Sequence, residues 1–267
     1  MIRVANAPVS YGAFELTVGV LPNVPGPDAV LDAIAAAGYE GTELGPIGYF
    51  GGGDELRRRL DSRGLALAGA FVEIGFGSGD FSELEATLDL LEGFDAKPVL
   101  ADNGPRDGDV DLAGVERAVE LARDRGFEPT FHHHMGTRVQ TPAEIERLLG
   151  GTSVGLVLDT GHLVAGGGDP VRALRDWRDR IDHLHVKDVS LGVISAAASW
   201  DEAWRGGAFC ELGTGDVDLE TFFAELGGYT GWLVVEQDWV PGPEDALAEQ
   251  AEAQVRNRRW LAEQAGL

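Results

Sequence analysis

Cysteine and long apolar runs are almost absent from this chain of 267 residues. Cys210 is the single cysteine, so an intrachain disulfide is excluded and a reducing compartment is expected. No run of 18 or more apolar residues occurs, so we expect no transmembrane helix. Residues 1–12 lack the basic and then apolar pattern of a signal peptide and are typical of a first strand. We therefore expect a cytoplasmic protein.

Positive charge is also scarce. The chain carries 45 acidic and 21 basic residues, which gives a net charge of −24. Such a negative field repels phosphate backbones and anionic membranes, so we expect neither nucleic acid nor a membrane as a partner. The hydrophobic fraction of 44% suits a large buried core, and no linker divides the chain, so one domain over residues 1–267 is predicted.

Strand-like and helix-like segments alternate along the whole chain. The strand-like segments are 2–9, 41–46, 65–75, 97–102, 129–135, 154–160, 181–188 and 231–237. The helical patterns lie near 27–38, 53–64, 81–92, 111–126, 142–150, 170–178, 218–226 and 243–265. Eight such units predict an α/β fold, a single (β/α)₈ TIM barrel. A doubly wound open sheet is the alternative, but residues 8–12 are not the glycine-rich phosphate loop that such sheets carry.

The longest stretch without a clear pattern is 190–217, which holds Trp200, Trp204 and Phe209. Loops of this length in compact domains are usually functional, and in a barrel this one lies beside the active site. One interpretation is a lid that closes over the substrate. The other is an aromatic patch that packs a helical insertion or forms a dimer contact, which leaves a homo-oligomer open.

All six histidines fall in three short clusters, each at the end of a predicted strand. Side chains alternate direction along a strand. The outer two histidines of the 132–134 cluster therefore point to one side and the middle one to the other. The same rule places His183, His185 and Lys187 on one side of the seventh strand. Inward-pointing residues at the carboxyl end of barrel strands line the active site.

Carboxylates accompany these histidines. Asp159 ends the sixth strand, with His162 three residues further on in the predicted loop, and Glu236 follows the apolar residues of the eighth strand. Imidazole and carboxylate groups from four consecutive strand ends are suited to a divalent metal. Mn²⁺ or Co²⁺ is the first expectation, with Mg²⁺ or Zn²⁺ as alternatives.

Several motifs together resemble the xylose isomerase-like barrels, which include sugar isomerases, sugar epimerases and inosose dehydratases. The motifs that mark this family are DTGH at 159–162, HLHVKD at 183–188 and the VE pair at 235–236. The motifs similar to the inosose (2-keto-myo-inositol) dehydratase branch are HHHMGT at 132–137, APVSYG at 7–12, GTELGP at 41–46 and LGTGDVD at 212–218. The resemblance covers essentially the whole chain.

The resemblance implies a metal bound by Asp159, His185, Glu236 and a residue at the end of the fifth strand. In the epimerases of the family that residue is a glutamate, and here His132 occupies the matching position. Epimerases need two bases, one on each face of the substrate. With an imidazole in place of one carboxylate, the pair becomes asymmetric, which suits enolisation followed by loss of hydroxide from a small polyhydroxy ketone or sugar.

The chemistry of that reaction needs a base, an acid and a metal. The metal polarises the ketone and stabilises the enolate, a base removes the α-proton, and an acid protonates the departing β-hydroxyl. The candidates for the acid and base roles are Glu236, His134, His162 and Lys187. For Lys187 the alternative is a structural salt bridge with Asp188 or Asp159.

Candidate substrate-binding residues are Glu43, His162, Trp200 and Trp204. Glu43 ends the second strand, where it either reaches substrate hydroxyls or holds a ligand histidine. The alternative is a glutamate on a helix-facing surface.

Four functions are compatible with the same barrel. The first is a metal-dependent dehydratase of a keto-cyclitol, and the second is a sugar isomerase or ketose 3-epimerase. An inactive sugar-binding barrel is the third, and retention of the whole ionisable set argues against it. A DNA-repair endonuclease is disfavoured by the net charge and by too few ligands for a trinuclear site.

Overall fold

The structure, a computed structural model, describes residues 1–242 and 247–267. The described strands are β1 Ile2–Asn6, β2 Gly41–Glu43, β3 Ala66–Ile74, β4 Lys97–Asp102, β5 Thr130–His132, β6 Gly155–Asp159, β7 Ile181–Val186, β8 Asp188–Val189, β9 Phe209–Cys210 and β10 Gly231–Val235. Strands β8 and β9 form a small antiparallel pair. The other eight described strands close a barrel in the order β1-β10-β7-β6-β5-β4-β3-β2, which confirms the predicted (β/α)₈ TIM barrel.

Closure of the barrel follows from parallel pairing between its first and last strands, where Ile2 lies opposite Gly231. Pairing between β6 and β7 sets Asp159 opposite His185. Because all barrel strands run in one direction, their carboxyl ends meet at a single rim. The residues that end these strands are therefore neighbours in space although they are far apart in sequence.

Helices lie between the strands as the alternating pattern predicts. The described helices are α1 Pro27–Ala36, α2 Gly53–Asp61, α3 Ser82–Leu91, α4 Leu112–Asp124, α5 Pro142–Gly151, α6 Thr160–Ala165, α7 Pro170–Asp176, α8 Leu191–Ala196, α9 Trp200–Arg205, α10 Leu219–Glu225 and α11 Leu247–Trp260. A π-helical turn, Leu261–Ala265, ends the last helix. The first four residues of the predicted helix 243–265 lie outside the described residues. None of the described helices is long and apolar enough to cross a membrane.

Several strands end earlier than predicted. The sequence predicts that the fifth strand reaches residue 135, but its ladder with β4 and β6 stops at His132, and the two following histidines leave the sheet. The first strand stops at Asn6, because residues 8–11 form a 3₁₀ turn. The predicted bounds rest on composition, whereas the observed bounds rest on ladder hydrogen bonds, so the sequence overestimates the length of these two strands.

The expectation of an irregular 190–217 segment is wrong. The segment contains two short helices, α8 and α9, and then β9, which pairs with β8. Serine side chains cap both helices, since Ser190 accepts the N–H of Val193 and Ser199 accepts the N–H of Glu202. Helices of six residues are too short to show a clear hydrophobic period, which explains why the sequence pattern did not reveal them.

The buried carboxylate of Asp188 holds the C-terminal end of this segment, residues 213–217, against the barrel. One of its oxygens accepts the N–H groups of Gly213 and Gly215, each at 2.9 Å. The other accepts the N–H groups of Val217 at 3.1 Å and Val189 at 2.9 Å. A carboxylate that receives this many backbone donors orders the loop that contains them.

We predict that Asp188→Ala destabilises the fold by about 3 kcal/mol, because the buried N–H groups of Val189 and Val217 lose their acceptor and each such loss costs about 1–3 kcal/mol. Urea unfolding followed by circular dichroism measures the loss. Asp176→Ala is the control, since Asp176 is exposed and pairs only with Arg172 among the residues described; its cost is expected to stay below about 0.5 kcal/mol. Equal losses for the two variants would contradict this account of the loop.

Candidate active site

Imidazole and carboxylate groups from four consecutive barrel strands converge at the carboxyl rim. His132 Nε2 lies 3.2 Å from Asp159 Oδ2. His185 Nδ1 lies 3.8 Å from that same oxygen and 2.9 Å from Glu236 Oε2. All four side chains are buried. The structure therefore brings together the four residues that the resemblance implies as metal ligands.

The geometry of this cluster fits a divalent metal. His132, Asp159 and His185 each offer one ligand atom, and these atoms lie within 4.8 Å of one another. The ring atom His132 Nδ1 is buried and has no hydrogen-bond partner among the described residues. Mixed nitrogen and oxygen donors of this kind suit Mn²⁺, Co²⁺ and Zn²⁺.

The charges around His185 favour a cation between the strand ends. Burial disfavours a charged imidazole, but Glu236 and Glu43 outweigh burial and hold the pKa of His185 well above its usual value. Burial also disfavours the ionised form of Glu236, yet His185 and Lys187 lower the pKa of this carboxyl to about 2. Glu236 is therefore a carboxylate at neutral pH, and the space between it and His185 stabilises positive charge.

Three other imidazoles at the rim, those of His132, His134 and His162, have lowered pKa values and are neutral at pH 7. Burial lowers the pKa of His132 to about 3 and the pKa of His134 to about 4. Burial is also the largest cause that holds the pKa of His162 well below its usual value, and the neighbouring His134 and Lys187 add to it. Neutral imidazoles can ligate a metal or exchange a proton with a substrate.

Glu43 is buried beneath the cluster, so the alternative of a surface glutamate is wrong. Its Oε1 lies 2.9 Å from His183 Nε2 and 3.1 Å from His185 Nε2. A carboxylate that accepts from Nε2–H turns Nδ1 of His185 toward Asp159 and Glu236, as outer carboxylates commonly do for ligand histidines. The contacts favour holding a ligand histidine over reaching a substrate, although Glu43 also borders the cavity.

Lys187 occupies the centre of the charged cluster. Its Nζ lies 3.2 Å from Asp159 Oδ2 and 3.0 Å from Glu236 Oε2. Burial disfavours the ammonium, but the surrounding carboxylates outweigh it and hold the pKa of Lys187 well above its usual value. Of the two predicted salt-bridge partners, Asp159 is confirmed, whereas Asp188 is wrong because its carboxylate is turned toward the backbone of the following loop.

The 132–134 cluster follows the predicted alternation. His132 and His134 border the cavity, with ring centroids 5.5 Å apart. The ring of His133 points away, and its Nε2 accepts the backbone N–H of Asp159 at 3.2 Å. His162 lies in the first turn of α6 and not in a loop, because Asp159 caps that helix by accepting the N–H of His162 at 2.8 Å.

A cavity of about 310 Å³ opens above the cluster. Its outer wall is aromatic: Trp200 stands 6.3 Å from the ring of His162, and Trp204 stands 5.4 Å from the ring of Phe14. Both predicted tryptophans border the cavity, as does Phe209. This placement favours a cover over the site as the function of the 190–217 segment.

Sequence reasoning missed some residues of this cavity. Asp238 is buried and lies within 3.0 Å of Lys187 Nζ. Its position two residues after Glu236 follows the strand alternation, and that signal was sufficient to find it. Phe14 and Glu15 also border the cavity, but they lie in a loop that carries no recognisable pattern.

The profile of the xylose isomerase-like TIM barrel matches residues 105–263. The inosose dehydratase of Geobacillus thermodenitrificans (strain NG80-2) is 32% identical over 273 residues, which cover 89% of this chain and 89% of that protein. The chain belongs to the xylose isomerase-like TIM barrel family. The resemblance seen in the sequence motifs is therefore confirmed.

Solved structures share the fold of this xylose isomerase-like barrel. A D-allulose 3-epimerase from Methylomonas sp. in complex with D-allulose has a TM-score of 0.71 at 17% identity and covers 98% of this chain and 97% of its own. The IOLI protein with a binding zinc atom has a TM-score of 0.70 at 14% identity and covers 99% of this chain and 98% of its own. At these identities, the likeness concerns the fold.

We predict that Asp159→Asn weakens divalent metal binding by at least about a hundredfold, because changes to outer partners of metal ligands alone cost about 10–100-fold. The asparagine oxygen can still cap α6, so the fold is expected to persist. Metal content after dialysis, measured by mass spectrometry with Asp176→Asn as the charge-matched control, tests this. Unchanged metal content in Asp159→Asn would contradict the assignment.

Proposed function

We propose that this chain is a metal-dependent lyase that dehydrates a keto-cyclitol such as 2-keto-myo-inositol. The relatives support an enzyme of the dehydratase or the isomerase and epimerase type, and the dehydratase relative matches along nearly the whole chain. The single observation that carries the proposal is the asymmetric cluster of the rim, where His132 stands opposite the carboxylate of Glu236 across Asp159 and His185. The ionised carboxylate of Glu236 on one side and the neutral imidazole of His132 on the other suit elimination more than symmetrical proton exchange.

The bound metal would be held by His132, Asp159, His185 and Glu236, and it would supply Lewis acidity to a substrate ketone and its neighbouring hydroxyl. The zinc in the IOLI structure supports a divalent ion on this fold. Mn²⁺ and Co²⁺ remain our first expectation for this chain, since imidazole and carboxylate donors suit them.

The dehydration needs one proton removed and one delivered. Glu236, ionised at neutral pH, takes the proton α to the ketone, and the electron pair of that C–H bond becomes part of a carbon–carbon double bond. The β-carbon then loses its hydroxyl group, which leaves as water after it receives a proton. Lys187 is the donor we propose, because its ammonium lies 3.0 Å from Glu236 and borders the same cavity.

His134 and His162 form the flank of the cavity, with ring centroids 3.9 Å apart. The Nδ1–H of His134 donates to the carbonyl of Met135 at 2.8 Å, which leaves Nε2 as an acceptor. We propose that this pair orients the substrate and is the next choice for the base. Trp200 and Trp204 complete an apolar wall that excludes water from the reacting carbons.

Isomerisation or 3-epimerisation of a sugar is the second candidate, favoured by the fold shared with the D-allulose 3-epimerase. Both candidates begin with removal of a proton α to a carbonyl. The two reactions diverge at the next step, since an epimerase needs a second base on the opposite face of the substrate. We rank it second because His132 takes the place of that second carboxylate.

We predict that the metal-loaded protein converts 2-keto-myo-inositol to a product with new ultraviolet absorbance, because dehydration creates a conjugated enone-type chromophore. The increase should vanish when a chelator is added and return when the metal is restored. Conversion of substrate without any new absorbance would favour the isomerase or epimerase. Asp176→Asn, prepared in the same way, is the control and is expected to give the same increase in absorbance as the wild type.

For Glu236→Gln we predict that kcat falls by at least about a hundredfold, since a positioned base contributes about 10²–10⁴-fold. Exchange of the α-proton with solvent deuterium, followed by NMR on recovered substrate, should fall in parallel. The metal content of each sample is measured alongside, because Glu236 also belongs to the proposed ligand set. If the variant keeps both metal and full exchange, the base is another residue, and His134→Gln is the variant to compare.

A further inference from the structure

Asp238 belongs to none of the residue sets derived from the sequence, yet both of its carboxylate oxygens contact the ammonium of Lys187. Its two carboxylate oxygens lie 2.9 Å and 3.0 Å from Lys187 Nζ. One of them also lies 3.4 Å from His162 Nε2. The side chain is buried and borders the cavity, so it acts at the site itself and not at the protein surface.

Lys187 shares two of its oxygen partners with the proposed metal. Its ammonium contacts Asp159 Oδ2 and Glu236 Oε2, and these carboxylates belong to the set that would bind the divalent ion. Two cations that share the same buried oxygens repel each other strongly, because little water screens them. Lysine and metal therefore compete, unless another group holds the ammonium when the metal binds.

Asp238 and its neighbours provide such a second environment for the lysine. The ammonium lies 5.2 Å from the centroid of the Phe209 ring, within reach of a cation–π interaction. The neutral imidazole of His162 lies 3.1 Å away. The stem of the lysine is held close to α6, since a Cβ added at Gly161 would come within 2.7 Å of Lys187 Cβ.

We propose that Asp238 is a positioning residue that retains the Lys187 ammonium on the side of Phe209 and His162. Asp159 and Glu236 are thereby left to the divalent ion, and the ammonium stays beside the cavity, where it can protonate a leaving hydroxyl. This inference rests on the metal site of the proposed function. It assigns to Asp238 an effect that passes through Lys187, so the two residues must be coupled.

A double-mutant cycle for metal affinity tests this coupling. Co²⁺ is titrated into metal-free protein, and binding is followed by the visible absorption of the ion in the wild type, Asp238→Asn, Lys187→Met and the double variant. Asp238→Asn is expected to weaken Co²⁺ binding by about 10–100-fold, because Asp159 and Glu236 are then the only carboxylates left to hold the ammonium and cannot give it up to Asp238 when the ion binds. Lys187→Met should tighten binding, since it removes the competing cation.

The decisive comparison is the loss of Co²⁺ affinity caused by Asp238→Asn when position 187 carries lysine and when it carries methionine. With methionine at position 187, Asp238→Asn should cost at least about tenfold less affinity than it does with lysine present. Equal losses of Co²⁺ affinity with lysine and with methionine at position 187 would show that Asp238 acts only through its charge. No loss of affinity with either residue would show that Asp238 has no effect on metal binding. Asp176→Asn, at an exposed position of α7, controls for the change in net charge.

A conservative variant guards against loss of the fold. Asp238→Glu keeps the carboxylate and is expected to bind Co²⁺ within about threefold of the wild type, while melting curves of the metal-free proteins verify folding. A loss as large as that of the asparagine variant would contradict the inference. If the wild type binds no Co²⁺, the proposed metal site itself is wrong. If the wild type binds Co²⁺ but the effects of Asp238→Asn and Lys187→Met on affinity are additive, only the role of Asp238 is wrong.

Discussion

The organisation of this protein depends on a single buried ammonium among carboxylates. Lys187 lies within 3.2 Å of oxygens from Asp159, Glu236 and Asp238, all of them buried. Uncompensated buried carboxylates carry a large desolvation penalty, and a cation at their centre offsets it. Such a cluster is expensive to maintain for stability alone. Its position at the mouth of a cavity is therefore best explained by chemistry.

In this barrel, the strands position the charged side chains, and a separate segment covers them. The hydrogen-bonded strands fix the backbone position of each charged residue. The 190–217 segment places Trp200 and Trp204 on the wall of the cavity above them. Asp188 holds the end of that segment by accepting the backbone N–H groups of Gly213 and Gly215, and it directly follows Lys187 after the strand that carries His185. The same short stretch thus supplies a proposed metal ligand, an ammonium and the anchor of the cover.

The sequence predicts the direction of a side chain where local periodicity determines it. It does not predict contacts between residues that are far apart in the chain. Alternation along strands placed the histidines on their observed sides, and the same rule applied one step further predicts Asp238. By contrast, the contact of Glu43 with His185 joins residues 142 positions apart, and no local pattern indicates it. The short helices α8 and α9 escaped because their order comes from serine caps and packing, which outweigh the weak propensity of six-residue segments.

The central claim is that a divalent metal binds between the ends of four strands. The most direct measurement is a crystal structure of the Co²⁺-loaded protein, with anomalous diffraction recorded on both sides of the cobalt absorption edge. The account predicts one strong anomalous peak within bonding distance of His132, Asp159, His185 and Glu236. A peak at another group of side chains, or no peak in crystals saturated with Co²⁺, would contradict it.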